Sequence, residues 1–288
     1  MISVIIPSRN RYSYILDLLN DLSQQETLAD EIIVIDQSDE PYSNLPCTHI
    51  IDSERGPCRA RNIGLEKCNG EIIVFLDDDI RIEKDFIQKI TSPIVEGRTN
   101  VVVGAILNME GQYQNATCPL WKKDGRNWLL SLTSNPGDSG EHQTLSFAGG
   151  CSAIHRIVYE KVGGFDQFFD PDGAGEDREY GLRIFHGGFS SLYYGEASVR
   201  HLGALRGGRR GAASGFKYQN ILEANSVYIV SKYFSWSVFD QFCSDWLKSI
   251  LHRGRGLNPR KWIRSVMWWK EARKHIENIR EIKRKNSL

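Results

Sequence analysis

The stretch "GEIIVFLDDDIRIEKDF" (Gly70 to Phe86) joins an uninterrupted apolar segment to three consecutive aspartates. Its apolar part, within residues 71–77, is rich in β-branched residues and lacks polar alternation, which predicts a strand covered on both faces. A strand of this kind belongs to a parallel sheet, and Asp77, Asp78 and Asp79 would lie at its carboxyl end. With the two-residue period of a strand, Asp77 and Asp79 point the same way and Asp78 points the other way.

Two similar apolar runs precede this one, at residues 3–7 and 31–36. Helical periodicity follows the first of them, with Ile15, Leu18, Leu19 and Leu22 on one face, and "RARNIGLEKCNG" predicts a second, shorter helix. The alternation of strands and helices predicts βαβ units and an α/β fold with a mainly parallel sheet. Ligands collect at the carboxyl ends of parallel strands. We therefore expect Pro7 to Arg11, Asp36 to Asp39 and Asp77 to Asp79 to share one rim.

The 288 residues suffice for one large domain with an appendage. A further strand is expected at residues 100–107, and the polar stretch from 108 to about 145 is interpreted as irregular. We predict one α/β domain over 1–215, made of two halves (1–107 and 108–215). A helical, basic extension would cover 216–288.

The formal net charge is zero, so there is no reason to expect a nucleic-acid partner. The distribution is uneven: from Lys248 onward there are 13 Lys and Arg but only three acidic residues. Residues 258–285 carry Trp and Ile at helical spacing among these cations. Such a helix could lie on an anionic membrane surface, pack on the domain over 1–215 or form a dimer contact, and the oligomeric state stays open.

Six cysteines are scattered without a C-x-x-C pair, which favours reduced thiols over a zinc site or a disulfide framework. The first residues lack a basic leader, and no apolar run is long enough to span a bilayer. We expect a cytoplasmic protein whose membrane contact, if present, is peripheral on the inner face of the cell membrane.

The predicted rim lacks the usual phosphate-binding loops, since neither G-x-x-x-x-G-K-[ST] nor G-x-G-x-x-G follows the first strand. Closely spaced aspartates suit Mg²⁺ or Mn²⁺, which could lie between the carboxylates and a diphosphate. The alternative is a solvated strand end or helix cap. Residues 170–177, "DPDGAGED", fit a calcium loop poorly, because Gly181 stands where an EF-hand requires Glu.

The chain resembles a family 2 glycosyltransferase of the GT-A fold over about residues 2–188. The resemblance rests on the order of several short motifs rather than on any one of them. These are "SVIIPSRNR", "EIIVIDQSD", "RARNIGL", "GEIIVFLDDDI", "FAGGCSAIHR", "GGFDQFF" and "GEDREYGLRIFHGG".

The resemblance implies that 1–215 is a catalytic domain, with a nucleotide-sugar site over the first strands in the donor half (1–107) and with 108–215 as the acceptor half. Pro7 and Arg9 would line the nucleotide pocket, and Asp36 would accept a hydrogen bond from the base. Arg61 would orient the nucleotide or diphosphate, although a surface charge on a helix is an equal alternative. Asp78 is included in this site without a defined role.

The metal-binding D-x-D pattern of the family maps onto Asp77 and Asp79, with Asp79 as the direct ligand of Mn²⁺ or Mg²⁺. His201 would complete the metal shell or is otherwise a packed histidine. The acidic pair before a helix maps onto Glu176, on the donor side, and Asp177, the expected catalytic base. For Asp177 the alternative is a carboxylate in the first turn of a helix.

Two glycine-containing segments complete the expected site. Gly149 and Gly150 resemble the acceptor-side turn of the family, or are a plain β-turn. Arg206, in "LRGGRRG", would belong to a loop that closes over the diphosphate, or to a flexible basic linker.

The sequence therefore predicts a metal-dependent, inverting glycosyltransferase, with a uridine diphosphate sugar as donor and a glycan or lipid-linked acceptor in surface polysaccharide synthesis. A sugar-phosphate nucleotidyltransferase would need a Gly-rich loop and a Lys near the N-terminus, and "PSRNRYSY" offers neither. A catalytically silent protein that binds nucleotide sugars, or acts as a scaffold, is the alternative of another class.

Overall fold

The structure, a computed structural model, describes residues 1–113, 137–204, 207–208 and seven positions between 221 and 233. The chain divides into two compact units, residues 1–120 with 130–212 and residues 121–129 with 213–288. All features discussed below lie in the first unit. The predictions for Arg206, for the membrane contact of 258–285 and for most of the extension at 216–288 lie outside the described residues.

A single sheet contains the nine strands found in the described part of the chain. Its strands run in the order β3-β2-β1-β4-β8-β6-β9-β5, and β7 pairs with β9. The strands are β1 (Ile2–Ser8), β2 (Glu31–Asp36), β3 (Thr48–Ile51), β4 (Ile72–Leu76), β5 (Ile80–Ile82), β6 (Val101–Leu107), β7 (Glu141–Thr144), β8 (Cys151–His155) and β9 (Ser191–His201).

The connections between these strands contain the helices. They are α1 (Tyr12–Ser23), α2 (Pro57–Lys67), α3 (Phe86–Val95), α4 (Arg156–Val162) and α5 (Glu176–His186), with a 3₁₀ turn at Gln167–Phe169. Helix α1 buries Ile15, Leu18, Leu19 and Leu22, the apolar face expected from the sequence. All five residues of β4 are buried, which agrees with a strand covered on both sides.

The predicted α/β fold is confirmed, and the adjacent strands β3, β2, β1 and β4 run parallel to one another. The rest of the sheet is mixed, because β8 is antiparallel to both β4 and β6, and β9 is antiparallel to β5 and β7. Part of the stretch interpreted as irregular is ordered: residues 141–144 form β7 along β9.

Strand pairing brings distant residues to the aspartate triplet. The carboxyl ends of β1 and β4 are neighbours in the parallel half of the sheet. Strand β5 follows the triplet directly and pairs antiparallel with β9, with Ile80 opposite His201. The end of β9 is therefore held next to Asp79, although 122 positions of sequence separate His201 from it.

The described cysteines, Cys47, Cys58, Cys68 and Cys151, are free thiols. Cys118 and Cys243 lie outside the described residues. Within the described part, no helix has both the length and the apolar character required to cross a bilayer.

Candidate active site

One cleft at the carboxyl ends of β1 and β4 contains most of the predicted site residues. The predicted residues that line it are Pro7, Arg9, Arg61, Asp77, Asp78, Asp79 and His201. Its other lining residues are Ser8, Arg11, Gln37, Arg55, Gly56, Pro57, Pro171 and Gly208.

Asp77, Asp79 and His201 form a cluster suited to a divalent cation. One ligand atom from each of them lies within 4.8 Å of the others. His201 Nε2 is 3.5 Å from Asp79 Oδ1. Carboxylate oxygens and an imidazole nitrogen are ligands that Mn²⁺ accepts, and carboxylates also suit Mg²⁺. The residues present therefore fit the metal that the sequence pattern implies.

Asp79 is held more rigidly than Asp77. The Ala204 amide donates to Asp79 Oδ2 at 3.1 Å, and the Leu202 amide donates to the Asp79 carbonyl at 2.8 Å. The side chain of Asp79 is 3 % exposed, whereas that of Asp77 is 38 % exposed. Asp79 thus has a fixed orientation, and Asp77 faces the open part of the cleft.

Asp78 pairs with Arg11, a residue that the sequence did not single out. Arg11 Nη1 donates to Asp78 Oδ1 at 2.7 Å and lies 3.2 Å from Asp79 Oδ2, and Ser8 Oγ donates to Asp78 Oδ2 at 2.7 Å. Burial raises the pKa of Asp78 to about 6, against the opposing effect of Arg11. These contacts hold Asp78 in place in the cleft wall, and the only sequence signal for Arg11 is the basic pair in "SRNR".

Arg61 connects two groups of acidic residues. Its Nη2 donates to Asp77 Oδ1 at 3.1 Å, and its Nη1 lies 3.7 Å from Glu176 Oε1. Burial alone would lower the pKa of Arg61, but Asp77, Asp177 and Glu176 outweigh it and raise the pKa. Arg61 Nε and Nη1 are buried without a hydrogen-bond partner. The burial of Arg61 and its contacts with two acidic side chains exclude the helix-surface alternative.

Helix α5 begins with the predicted acidic pair. Glu176 is buried, and Asp177 is partly exposed. Both lie in the first turn of α5, where the helix dipole stabilises negative charge. The Gly149 amide donates to Asp177 Oδ1 at 3.0 Å, which fixes the carboxylate expected to act as the base.

Gly149 and Gly150 are needed because charged side chains pack against them. A Cβ atom at Gly149 would lie 2.5 Å from Arg61 Cζ, and one at Gly150 would lie 2.5 Å from Asp77 Oδ2. The turn expected on the acceptor side thus also shapes the part of the cleft formed by Arg61 and Asp77. Whether it contacts an acceptor stays a prediction.

The expected contact between Asp36 and a nucleotide base does not fit the structure. Asp36 is fully buried at the end of β2. Its carboxylate accepts from the amides of Ser38 at 2.9 Å and Tyr42 at 2.6 Å, and His49 Nε2 is 3.2 Å away. We correct its role: Asp36 stabilises the turn after β2 instead of facing the cleft.

Arg9 lies in the cleft wall, where its Nη2 donates to Asp39 Oδ1 at 2.7 Å. The Arg9 carbonyl accepts from the Gly208 amide at 2.8 Å. Gly207 and Gly208 have φ angles of 75° and 53°, which favour glycine. These two residues therefore dock against the loop after β1, while the neighbouring Arg206 is outside the described residues.

Comparison with known proteins agrees with this architecture. A crystal structure of GalNAc-T7 with UDP, GalNAc and Mn²⁺ superimposes with a TM-score of 0.58 at 20% identity, covering 84% of this chain and 49% of that one. This likeness shows the GT-A fold. The family model "Glycosyl transferase family 2" matches residues 3–163. The chain belongs to glycosyl transferase family 2.

Two curated relatives are similar over part of their length. Poly(ribitol-phosphate) beta-N-acetylglucosaminyltransferase TarS of Staphylococcus aureus (strain Mu50 / ATCC 700699) is 29% identical over 38% of this chain. Pre-mycofactocin glycosyltransferase of Mycobacterium tuberculosis (strain CDC 1551 / Oshkosh) is 24% identical over 69% of it. The matches cover 22% and 42% of these two relatives, so the chain spans less than half of either.

Proposed function

We propose that this chain is a metal-dependent, inverting glycosyltransferase that transfers a sugar from a uridine diphosphate donor to a hydroxyl group. One observation carries the proposal. Gly149 binds the carboxylate of Asp177, while the next residue, Gly150, packs against Asp77 of the metal-ligand cluster. A proposed base and a proposed metal ligand thus lie on either side of one two-residue turn, which suits a reaction between a donor and an acceptor.

The donor is proposed to lie along the wall that includes Pro7, Arg9 and Arg61. Arg61 lines the cleft, and its positive charge suits an anionic ligand at this position. UDP is the proposed nucleotide, supported by its presence in the GalNAc-T7 complex of the same fold.

The charge of the diphosphate requires neutralisation, and the first turn of α2 is not free to provide it. The amides of Cys58 and Arg59 already donate to Asp170 at 3.0 and 2.9 Å. Asp77, Asp79 and His201 are proposed to hold Mn²⁺ or Mg²⁺. When bound, such a cation would neutralise the diphosphate leaving group.

Asp177 is proposed to accept the proton from the acceptor hydroxyl as the oxygen attacks the anomeric carbon. Inversion follows from a single displacement, in which the acceptor oxygen attacks from the face opposite the leaving group. The Gly149 amide holds one oxygen of Asp177 in place. Glu176 pairs with Arg61 on the donor side and is not proposed as the base.

The acceptor is proposed to be a glycan or a lipid-linked saccharide in the synthesis of a surface polysaccharide. The name of TarS, which concerns a poly(ribitol-phosphate) polymer, supports this class of acceptor by analogy. A cytoplasmic location with peripheral membrane contact through 258–285 is part of the proposal and rests on the basic, Trp-bearing sequence there.

The test is the release of UDP from a panel of UDP-sugars, with Mn²⁺ or with a chelator, in the presence and absence of glycan acceptors. The proposal expects UDP release with at least one donor, in the presence of metal only. A protein that binds UDP with metal but releases none from any donor would instead be the silent binding or scaffold protein.

A further inference from the structure

The first turn of α2 is capped by a carboxylate from a distant part of the chain. Asp170 Oδ1 accepts from the Cys58 amide at 3.0 Å, and Asp170 Oδ2 accepts from the Arg59 amide at 2.9 Å. Helix α2 has no acidic residue of its own in the first turn. Asp170 therefore satisfies amides at the start of α2 that would otherwise need another partner.

Two glycines make room for this contact from opposite sides. A Cβ atom at Gly56 would lie 2.5 Å from each carboxylate oxygen of Asp170, and one at Gly173 would lie 2.5 Å from Pro57 Cγ. Gly56 has extended backbone angles (φ 160°, ψ 128°) that any residue can adopt. Space for the Asp170 carboxylate, not backbone conformation, thus requires glycine at position 56.

A second attachment lies one turn further along α2. Asn62 Nδ2 donates to the Phe165 carbonyl at 2.8 Å, and Asn62 Oδ1 accepts from the Phe165 amide at 2.7 Å. Residues 165–170 are therefore fastened to α2 at both ends, and the chain then continues into Glu176 and Asp177. Helix α2 also carries Arg61, which contacts Glu176.

We propose that Asp170 is a positioning residue that fixes the segment leading to Glu176 and Asp177 on α2, so that Asp177 and Arg61 keep one relative geometry. The inference rests on the proposed role of Asp177 as the base. Asp170 itself touches backbone amides and not the reacting atoms. Its loss should impair the chemical step more than nucleotide binding, since Asp170 contacts the amides of Cys58 and Arg59 and not the proposed metal ligands.

The first experiment compares Asp170→Ala with Asp170→Asn. We expect kcat to fall about tenfold or more in Asp170→Ala, because small displacements of a base have large effects on rate. The Kd for UDP with Mn²⁺ should stay within about twofold. Asp170→Asn should give an intermediate kcat, since its one amide oxygen can accept in place of two. Asp172→Ala is the matched control, because Asp172 makes no hydrogen bond within the described residues, and it should leave kcat unchanged.

The second experiment uses the glycine that accommodates the carboxylate. Gly56→Ala should displace Asp170 and reproduce the loss of kcat. In the Asp170→Ala background, Gly56→Ala should lower kcat little further, because the carboxylate atoms that would clash with the new Cβ are absent. If the fold-losses of kcat in the two single variants multiply in the double variant, the inference that Gly56 and Asp170 act through one contact is overturned.

Hydrogen exchange provides a readout that does not need activity. Amides of residues 58–59 and 164–177 should exchange faster in Asp170→Ala than in the wild type and in Asp172→Ala. Unchanged exchange would overturn the proposed attachment, and faster exchange with unchanged kcat would overturn the positioning role. If the wild type releases no UDP from any donor, the proposed function fails, and exchange alone then decides whether Asp170 holds the segment.

Discussion

The amide of Gly149 donates a hydrogen bond of 3.0 Å to Oδ1 of Asp177, which fastens the start of α5 to the turn before β8. The next residue, Gly150, allows the side chain of Asp77 to approach the same turn. The turn therefore sets the separation between the proposed base and the proposed metal ligands. Each of the following predictions alters one part of this arrangement.

Replacing Asp177 by Asn should abolish transfer without unfolding the site. The amide oxygen can still accept the hydrogen bond from Gly149, but it cannot take up a proton at neutral pH. We expect kcat to fall by about 10² to 10⁴, with the Kd for UDP changed by less than about twofold. Steady-state kinetics and UDP titration in Mn²⁺ measure the two quantities.

The control for this variant is Asp172→Asn, which removes a carboxylate from the preceding loop and should leave kcat at the wild-type value. A large loss of UDP affinity in Asp177→Asn would contradict the assignment of Asp177 as base and would place it on the donor side.

Gly150→Ala should weaken the metal site. Its Cβ would lie 2.5 Å from Asp77 Oδ2, so the carboxylate has to move away from Asp79 and His201. We expect about tenfold weaker Mn²⁺-dependent UDP binding, since carboxylate position decides metal affinity. Gly140→Ala is the control: Gly140 is exposed, and its Cβ would meet the Asp138 carboxylate, at 2.9 Å, which can turn away. Equal UDP affinity in both variants would argue against a role for Asp77 in the metal site.

Asp52 should contribute to stability in a pH-dependent manner. Arg59 Nε donates to Asp52 Oδ2 at 3.0 Å, and Gln37 Nε2 donates to it at 2.9 Å. Burial tends to raise the pKa of Asp52, but these hydrogen bonds outweigh it and lower the pKa. Stability from a lowered pKa is present above the unfolded value of about 4 and is lost as the pH falls through the folded value.

We therefore expect Asp52→Asn to lower the free energy of unfolding by about 1 kcal/mol at pH 7, and the difference from wild type to narrow below about pH 4. Urea unfolding of both proteins between pH 7 and pH values below about 4 measures this difference in free energy. Glu54→Gln is the control, because the Glu54 side chain is 72 % exposed and its Oε2 lies 3.4 Å from Arg59 Nη1. The free energy of unfolding should hardly change in this variant. A difference for Asp52→Asn that does not vary with pH would contradict the pairing.

The parallel half of the sheet could be predicted from the sequence because its signals are local. Strands β1, β2 and β4 are apolar runs, and α1 shows its buried face by periodicity. Asp77 and Asp79 were predictable as a pair because they follow the most buried strand. Strands β3, β5 and β7 have only three or four residues each, and they exist through pairing with distant partners that no local pattern specifies.

The unpredicted parts of the site depend on contacts between residues far apart in the chain. Arg11 pairs with Asp78 across 67 positions, and Asp170 reaches the amide of Cys58 across 112. Asp36 was correctly placed at a strand end, but its burial depends on the turn formed by residues 38–42. Sequence patterns locate the rim of a sheet, whereas the direction of each side chain follows from tertiary packing.

Asp79 and His201 should both be required for the effect of metal on nucleotide binding. Asp79→Asn keeps the shape of the side chain and removes its charge, and His201→Gln removes the imidazole. Both should reduce the Mn²⁺-dependent part of UDP binding by about 10-fold or more, because ligand loss weakens a metal site at least as much as loss of a supporting group. His142→Gln is the control, since His142 lies on β7 and packs on Tyr193.

The most direct test of the central claim is titration of the wild-type protein with UDP in Mn²⁺ and, separately, in a chelator. The account predicts clear binding with Mn²⁺, at least tenfold weaker binding in the chelator, and the loss of this difference in Asp79→Asn. Equal UDP affinity with and without metal in the wild type, or an unchanged metal effect in Asp79→Asn, would contradict it.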